Sequence, residues 1–141
     1  MTENNTKAFF LDTSALLAYI EDEDGADYTE EVLIRAEQNE VSVYVSFVSL
    51  TEVTYITLQE KDELTAQTRV ELIKSLACSI EESNEGLNLS AARLKARNRI
   101  SLADAYVAAL CQERKAILVH KDPEFEKLLP LIEQHKLPYK A

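Results

Sequence analysis

Short apolar segments alternate with longer helix-forming segments along this chain, and this alternation is the strongest constraint on its fold. Runs rich in apolar or β-branched residues predict strands at residues 8–12, 41–48, 78–82 and 116–119, with a last short strand after Leu131. The segments between them have helical periodicity, at residues 13–20, 26–39, 49–60, 63–77, 85–97, 101–114 and 123–129. Strands that alternate with helices form a mostly parallel sheet covered on both faces, so the predicted class is α/β.

The chain of 141 residues has the length of one domain, and no repeat or linker divides it. We therefore expect a single domain over residues 1–141, with residues 1–7 as a frayed polar tail. The first residues have no basic stretch typical of a secretory signal. The longest apolar run, Ala15 to Ile20, is too short to span a membrane.

Scarce glycine and cysteine exclude several kinds of site. With only Gly25 and Gly86, the chain can form neither a P-loop nor a dinucleotide-binding glycine motif. Cys78 and Cys111 lie far apart in apolar segments, which predicts two free thiols and a reducing, cytoplasmic location. Any phosphate group must therefore be bound by metal ions or basic side chains.

Four acidic residues lie where predicted strands end or helices begin. Asp12 ends the first strand, Glu52 follows the second, Asp104 opens a helix and Asp122 follows the strand at 116–119. Sites in parallel sheets form beyond the carboxyl ends of the strands, so the fold can bring these acids to one edge. Each acid also fits a structural role, because Asp12 and Asp122 suit helix N-caps. Likewise, Glu52 and Asp104 each complete a capping box that begins at a serine three residues earlier, Ser49 or Ser101.

Two features favour a metal site over simple caps. On a helix, Asp104 shares its face with Val107, Ala108 and Cys111, where an unpaired charge is costly. Four converging acids would also repel one another unless a cation lay between them. Oxygen ligands without His or Cys indicate a hard ion, Mg²⁺ or Mn²⁺, as in enzymes that cleave phosphodiesters.

Four segments also carry a family resemblance: FLDTSALLAY, SFVSLTEV, RISLADAYVAALC and HKDPEFEKL. In this order they resemble the motifs of PIN-domain ribonucleases, and most closely the VapC-like toxins of type II toxin–antitoxin pairs. The resemblance covers about residues 9–139. It implies catalytic, metal-binding acids at Asp12, Glu52, Asp104 and Asp122, with Ser14 and Glu124 in support. The fourth motif departs from the family, which usually has Thr at the position of His120.

The resemblance implies a three-layer α/β/α fold with a mostly parallel sheet of four or five strands. It also implies a Mg²⁺- or Mn²⁺-dependent endoribonuclease acting on structured RNA such as tRNA or rRNA, a small antitoxin whose C-terminal segment covers the site, and a homodimer. Two alternatives remain open: a housekeeping RNA-processing nuclease, and an inactive PIN-like binding module. A phosphoacceptor receiver domain is disfavoured because Thr13, not a second acid, follows Asp12.

Charge is distributed unevenly along a chain whose formal net charge is −10. Residues 1–63 contain 15 acidic and 3 basic residues, whereas residues 91–121 contain 7 basic and 2 acidic ones. Four of these bases fall within seven residues: Arg93, Lys95, Arg97 and Arg99. This basic segment suits either contact with an RNA backbone or a solvated helix end.

Overall fold

The computed structural model describes residues 6–140, in which five parallel strands form one sheet. The strands are β1 (Lys7–Leu11), β2 (Val41–Ser46), β3 (Ser79–Glu81), β4 (Ile117–His120) and β5 (Gln134–Lys136). Their order in the sheet is β3-β2-β1-β4-β5, and every neighbouring pair is parallel. The predicted α/β class and all five predicted strands are confirmed.

Within residues 6–140, six α-helices and one 3₁₀ helix accompany the strands. The α-helices are α1 (Thr13–Ile20), α2 (Ala26–Glu37), α3 (Phe47–Glu60), α4 (Glu63–Ser75), α5 (Glu85–Arg97) and α6 (Leu102–Arg114). The segment predicted as a helix at 123–129 is a 3₁₀ helix, Pro123–Leu128. Within the described residues, no helix is both long enough and apolar enough to cross a membrane.

Side chains on the two faces of the sheet belong to two separate hydrophobic cores. Phe10 points into one core, which also contains buried residues of α5, α6 and the 3₁₀ helix. Phe9 and Leu11 point into the other, with residues of α1, α2 and α4. Alternate residues of a strand face opposite sides, so β1 is buried on both faces and must be central. The predicted three layers are therefore present.

The boundary between β2 and α3 differs from the prediction. β2 ends at Ser46, and α3 begins at Phe47 because the Ser46 hydroxyl caps it by accepting a hydrogen bond from the Val48 amide (3.1 Å). The predicted capping box from Ser49 to Glu52 is wrong, since the earlier cap already satisfies this helix end. Glu52 consequently lies in the second turn of α3, with its carboxylate free for another role.

The prediction of a frayed tail over residues 1–7 is wrong at Lys7. Lys7 already belongs to β1, where it pairs with Val41. Residues 1–5 of that predicted tail lie outside the described residues.

Candidate active site

The carboxyl ends of the neighbouring strands β1 and β4 place Asp12 and Asp122 at the same edge of the sheet. Asp12 directly follows β1, and its backbone amide donates to Val119 O of β4 (3.0 Å). Asp122 lies two residues beyond the end of β4. Both acids also act as the N-caps that were predicted for them, of α1 and of the 3₁₀ helix respectively. Each of these side chains therefore caps a helix and also lies at the sheet edge where the site was predicted.

Asp12 is the most buried of the four acids, with 4% of its surface exposed. Its Oδ2 accepts hydrogen bonds from Ser14 N (3.0 Å) and Ser14 Oγ (2.6 Å). Burial raises the pKa of Asp12 from its usual range, hydrogen bonds from Ser14 oppose that rise, and the charge of Asp122 adds to it. Ser14 Oγ in turn accepts from Lys121 N (2.8 Å), which links Asp12 to the chain segment after β4.

Glu52 reaches this edge from the second turn of α3. Its Oε1 lies 2.5 Å from Thr13 Oγ1, and the same hydroxyl lies 2.8 Å from Ser49 Oγ. Burial raises the pKa of Glu52, the hydrogen bond with Thr13 lowers it, and the charges of Asp12 and Asp122 raise it further. Thr13 therefore orients Glu52 beside the other acids.

Asp104 has the most strongly perturbed carboxyl group of the four. It lies in the first turn of α6, and its backbone amide donates to the N-cap hydroxyl of Ser101 (3.0 Å). Burial first, and then the charges of Asp12, Asp122 and Glu52, raise the pKa of Asp104 to about 7. As predicted, Asp104 is followed on α6 by buried apolar residues, at positions 107, 108 and 111. The site thus keeps a carboxyl where ionisation is disfavoured by both its surroundings and its neighbours.

Hydrogen bonds hold both the side chain and the backbone amide of Asp122. Its Oδ1 accepts from Glu124 N (3.0 Å), and its own amide donates to His120 Nδ1 (3.1 Å). His120 is fully buried, its Nε2 lies 2.9 Å from Gln134 Oε1, and burial lowers its pKa. Glu124, the predicted supporting acid, is exposed and its carboxylate pairs with Lys127 (2.8 Å).

The donor chemistry of this site fits a hard divalent cation, although the acids are not arranged as a finished chelate. All four side chains are carboxylates, and each of the three with raised pKa values is affected by the charge of another. A bound cation would relieve this repulsion, and hard cations prefer carboxylate oxygen. Across residues 6–140, no three His, Cys, Asp or Glu side chains are spaced to hold a metal ion as they stand.

An open groove of about 430 Å³ adjoins the acids. Ser14 and Asp122 form the part of its lining nearest the site. The rest of the lining mixes apolar and charged side chains: Leu17, Glu21, Glu23, Ile56, Glu60, Lys121, Pro123, Tyr139 and Lys140. Glu23 pairs with Lys140 (3.1 Å) and lies 3.5 Å from Lys121 Nζ. The lining of the groove therefore combines apolar side chains with acidic ones, one of which, Glu23, is paired with lysines.

The basic segment lies immediately before the helix that carries Asp104. All four of its side chains, Arg93, Lys95, Arg97 and Arg99, belong to exposed residues at the end of α5 and in the loop after it. Lys95 Nζ donates to Ile100 O (2.8 Å), which ties that side chain to the loop. The two arginines nearest the loop line an open cavity of about 640 Å³ with Asn98.

The sequence did not predict several of the residues that hold the four acids in place. Ser49 was assigned to a cap, and Thr13 was noted only as the residue that follows Asp12 in place of a second acid. Lys121 and Gln134 gave no signal, because they act through a backbone amide and a side-chain amide brought in by the sheet. Only the adjacency of Thr13 to Asp12 could have pointed to its role.

The comparisons with known proteins agree with this geometry. The sequence profile described as the PIN domain matches residues 9–128. No curated protein matches the sequence significantly.

Solved structures share the fold at low sequence identity. VapBC2 from Rickettsia felis, bound to a DNA fragment from its promoter, superposes with a TM-score of 0.74 at 16% identity, over 93% of this chain and 99% of that one. VapBC from Salmonella typhimurium, bound to DNA, gives 0.72 at 16% identity, over 93% and 98%. Mycobacterium tuberculosis VapC20, described as a sarcin-ricin loop cleaving toxin, gives 0.67 at 19% identity, over 84% and 92%. With its profile match spanning most of the sequence and four acids gathered at the carboxyl edge of the sheet, this chain belongs to the PIN domain family.

Proposed function

We propose that this protein is a Mg²⁺- or Mn²⁺-dependent endoribonuclease, a phosphodiester hydrolase, and the toxin of a toxin–antitoxin pair. The observation that carries the proposal is the gathering of four carboxyl groups at one sheet edge, where burial first, and then the charges of the other three, raise the pKa of Asp104 to about 7. Placing four carboxylates close together costs free energy in a protein that binds no cation. A bound divalent ion would offset this repulsion, because it takes carboxylate oxygens as ligands.

Asp12, Glu52 and Asp104 would hold the cation, with Asp122 as a fourth ligand or the ligand of a second ion. When bound, the cation supplies Lewis-acid stabilisation of the phosphate and a more acidic water. The protein's own task is to orient the carboxylates, through Ser14 at Asp12 and Thr13 at Glu52. We assign Ser14 to orientation, because its hydroxyl donates to Asp12 and accepts from Lys121 N.

The basic segment supports RNA as the substrate. Its exposed cations lie next to the helix of Asp104 on an otherwise acidic protein, where they can contact phosphates on either side of a cleaved bond. The description of the similar VapC20 as a sarcin-ricin loop cleaving toxin adds support for a structured RNA target. A substrate of this class fits a cytoplasmic location, which is part of the proposal.

The groove beside the acids supports a protein partner. Two of the similar structures are VapBC assemblies, and a third is described as a toxin–antitoxin complex from Klebsiella pneumoniae. An antitoxin segment with basic and apolar side chains would match the acidic side chains of the groove and its apolar ones, Leu17, Ile56 and Pro123. A homodimer is part of the same proposal.

The nuclease proposal is tested by incubating the purified protein with total RNA and mapping the new ends. We expect discrete cleavage sites that need Mg²⁺ or Mn²⁺ and vanish with EDTA. Asp12→Asn should retain the cap of α1, because Asn caps a helix about as well as Asp, but it should not cleave. Metal-independent cleavage, or full activity of that variant, would overturn the proposed site.

The toxin proposal is tested separately, by expressing the protein in a bacterial host. We expect growth arrest with the wild-type chain and none with Asp12→Asn, and relief when a small DNA-binding protein encoded beside it is co-expressed. RNA cleavage without growth arrest would instead favour the housekeeping nuclease. A folded protein that neither binds metal nor cleaves RNA would favour the inactive binding module.

A further inference from the structure

We propose that His120 and Gln134 form a hydrogen-bond relay that fixes Asp122 at the site, which makes both of them positioning residues. The activity readout of this inference rests on the proposed nuclease function. Its structural readouts, described below, are independent of it.

The relay begins at the backbone of Asp122. Its N–H can only donate, so His120 Nδ1, 3.1 Å away, must carry a lone pair. The ring proton of neutral His120 is therefore on Nε2, which faces Gln134 Oε1 at 2.9 Å. An amide oxygen accepts that proton, so each contact requires the same tautomer.

Gln134 is itself fixed from its other end. Its Nε2 donates to Phe125 O (2.7 Å), which orients the amide with the oxygen towards His120. Phe125 belongs to the 3₁₀ helix that Asp122 caps, and Gln134 belongs to β5. The relay thus ties the start of that helix to the edge strand through a fully buried ring.

The same segment is held from the opposite side by Ser14. Lys121 N donates to Ser14 Oγ, and that hydroxyl donates to Asp12 Oδ2. Consecutive amides, those of Lys121 and Asp122, are therefore bound by Ser14 and His120 respectively. Removal of the His120 hydrogen bond would free the amide of Asp122, while Asp122 O would still accept from Phe125 N (3.2 Å). We infer that the position of the fourth carboxylate depends on this amide contact to His120.

A packing role is the competing explanation, since the His120 ring lies 5.2 Å from the Phe125 ring and 6.2 Å from the Tyr139 ring between centroids. Substitution separates the two explanations. The contact from His120 to the amide two residues later has the pattern of an Asx-turn, in which an Asn side-chain oxygen takes the acceptor's place. His120→Asn should keep this acceptor, whereas His120→Leu keeps the bulk of the side chain and removes the acceptor.

The first experiment examines the wild-type protein by NMR. Long-range ¹H–¹⁵N correlation should show His120 as the Nε2–H tautomer, and the Asp122 amide should exchange slowly with solvent. In Gln134→Met, which removes the hydrogen bonds from a distant strand, this amide should exchange faster. An Nδ1–H tautomer, or an Asp122 amide whose exchange is unchanged in Gln134→Met, would overturn the relay.

The second experiment measures Mn²⁺ affinity by calorimetry and RNA cleavage for the same variants. We expect His120→Leu and Gln134→Met to lose about 10- to 100-fold in Mn²⁺ affinity and in kcat, as for other groups that orient metal ligands. KM for RNA should stay unchanged, and His120→Asn should recover most of the loss. His135→Leu is the matched control, because His135 stacks on Tyr28 rather than contacting the acids.

Equal losses in His120→Asn and His120→Leu would overturn the relay in favour of packing. Wild-type Mn²⁺ affinity in both His120→Leu and Gln134→Met would overturn it as well. If the wild-type protein bound no Mn²⁺ and cleaved no RNA, the proposed function would fail. The tautomer and the exchange of the Asp122 amide would still decide whether the relay exists.

Discussion

At the scale of single residues, the main feature of the site is that ionisation of its buried, neighbouring carboxyl groups is energetically unfavourable. Asp104 shows this most clearly, because burial and three neighbouring carboxylates all favour its protonated form. Hydrogen bonding to Ser101 opposes them by lowering the pKa of Asp104. The ionised form of Asp104 therefore destabilises the metal-free folded protein, and a bound cation would stabilise that ionised form.

The first prediction concerns the pH dependence of stability without metal. The pKa of Asp104 is about 7 in the folded protein against an ordinary value of 3.8. The folded state thus holds its proton more tightly, and the stability this gives is complete below about pH 4 and is lost as pH rises through 7. In EDTA, Tm should fall between pH 5 and pH 8, and less so in Asp104→Asn.

The control is Asp27→Asn, which changes an exposed acid in the first turn of another helix, α2. It should leave the pH dependence of Tm as in the wild-type protein. A pH profile of Asp104→Asn identical to that of the wild type would contradict the prediction.

The second prediction concerns catalysis by the same variant. Asp104→Asn removes one charge from the cation site, and metal Lewis-acid stabilisation contributes several kcal/mol. Cleavage should therefore fall by roughly a hundredfold or more. Rates are measured on a mapped RNA site, with circular dichroism showing that the variant is folded. A folded variant that cleaves at the wild-type rate would remove Asp104 from the site.

A third prediction concerns Thr13, whose hydroxyl contacts Glu52 and Ser49. Thr13→Val keeps the shape of the side chain but removes this hydroxyl, so Glu52 loses its orientation. We expect about a tenfold loss of Mn²⁺ affinity and about 1 kcal/mol of stability. Thr13→Ser keeps the hydroxyl and should recover both quantities. Failure of serine to recover either one would mean that the methyl group matters instead.

At the scale of elements, the two helices α5 and α6 bring opposite charges next to each other. The end of α5 and the loop after it carry the basic segment, and the first turn of α6 carries Asp104. Lys127 Nζ donates to Arg99 O (3.0 Å), which fixes this loop against the 3₁₀ helix that Asp122 caps. The basic segment is consequently positioned relative to two of the four acids.

The fourth prediction tests this arrangement with a quadruple variant in which Arg93, Lys95, Arg97 and Arg99 become Gln. RNA binding should weaken, and the slope of log K against log salt should flatten by about 0.9 for each phosphate that is no longer neutralised. Mn²⁺ binding should persist. The matched control changes four bases elsewhere on the chain to Gln: Lys7, Arg35, Lys61 and Lys74. An unchanged salt slope in the first variant would leave the segment as a solvated helix end.

At the scale of the whole molecule, the chain combines a net charge of −10 with one edge where acids are concentrated. Divalent cations should therefore stabilise the folded state by binding at that edge. Protons compete with metal for the same carboxylates, three of which have raised pKa values.

The fifth prediction follows from this competition. Mg²⁺ should raise Tm more at pH 8 than at pH 5, measured against KCl at equal ionic strength. Asp12→Asn should show a smaller Mg²⁺ effect at pH 8. Equal shifts at the two pH values would argue against a site shared by these acids.

Local patterns in the sequence were sufficient for much of this structure. β1, β2 and β4 are buried between two layers of helices. Strands buried on both faces need apolar residues at successive positions, so they can be recognised in the sequence as apolar runs. Capping by Asp12 and Asp122 also depends only on amides two residues away, so it can be read from adjacent residues. Local reasoning failed at the start of α3, because it placed the cap at Ser49, whereas Ser46 at the end of β2 caps the helix.

The geometry of the site depends on contacts between residues that are far apart in the sequence. Ser14 meets Lys121 across 107 positions, and Thr13 meets Glu52 across 39. Periodicity predicts which segments are strands, but the order β3-β2-β1-β4-β5 determines which of their ends are neighbours. The sequence by itself determined the class of fold and the identity of the four acids. Only the tertiary structure decided their burial, their orientation and the pKa of Asp104, because separate strands and helices bury this carboxyl group and bring the other three charges next to it.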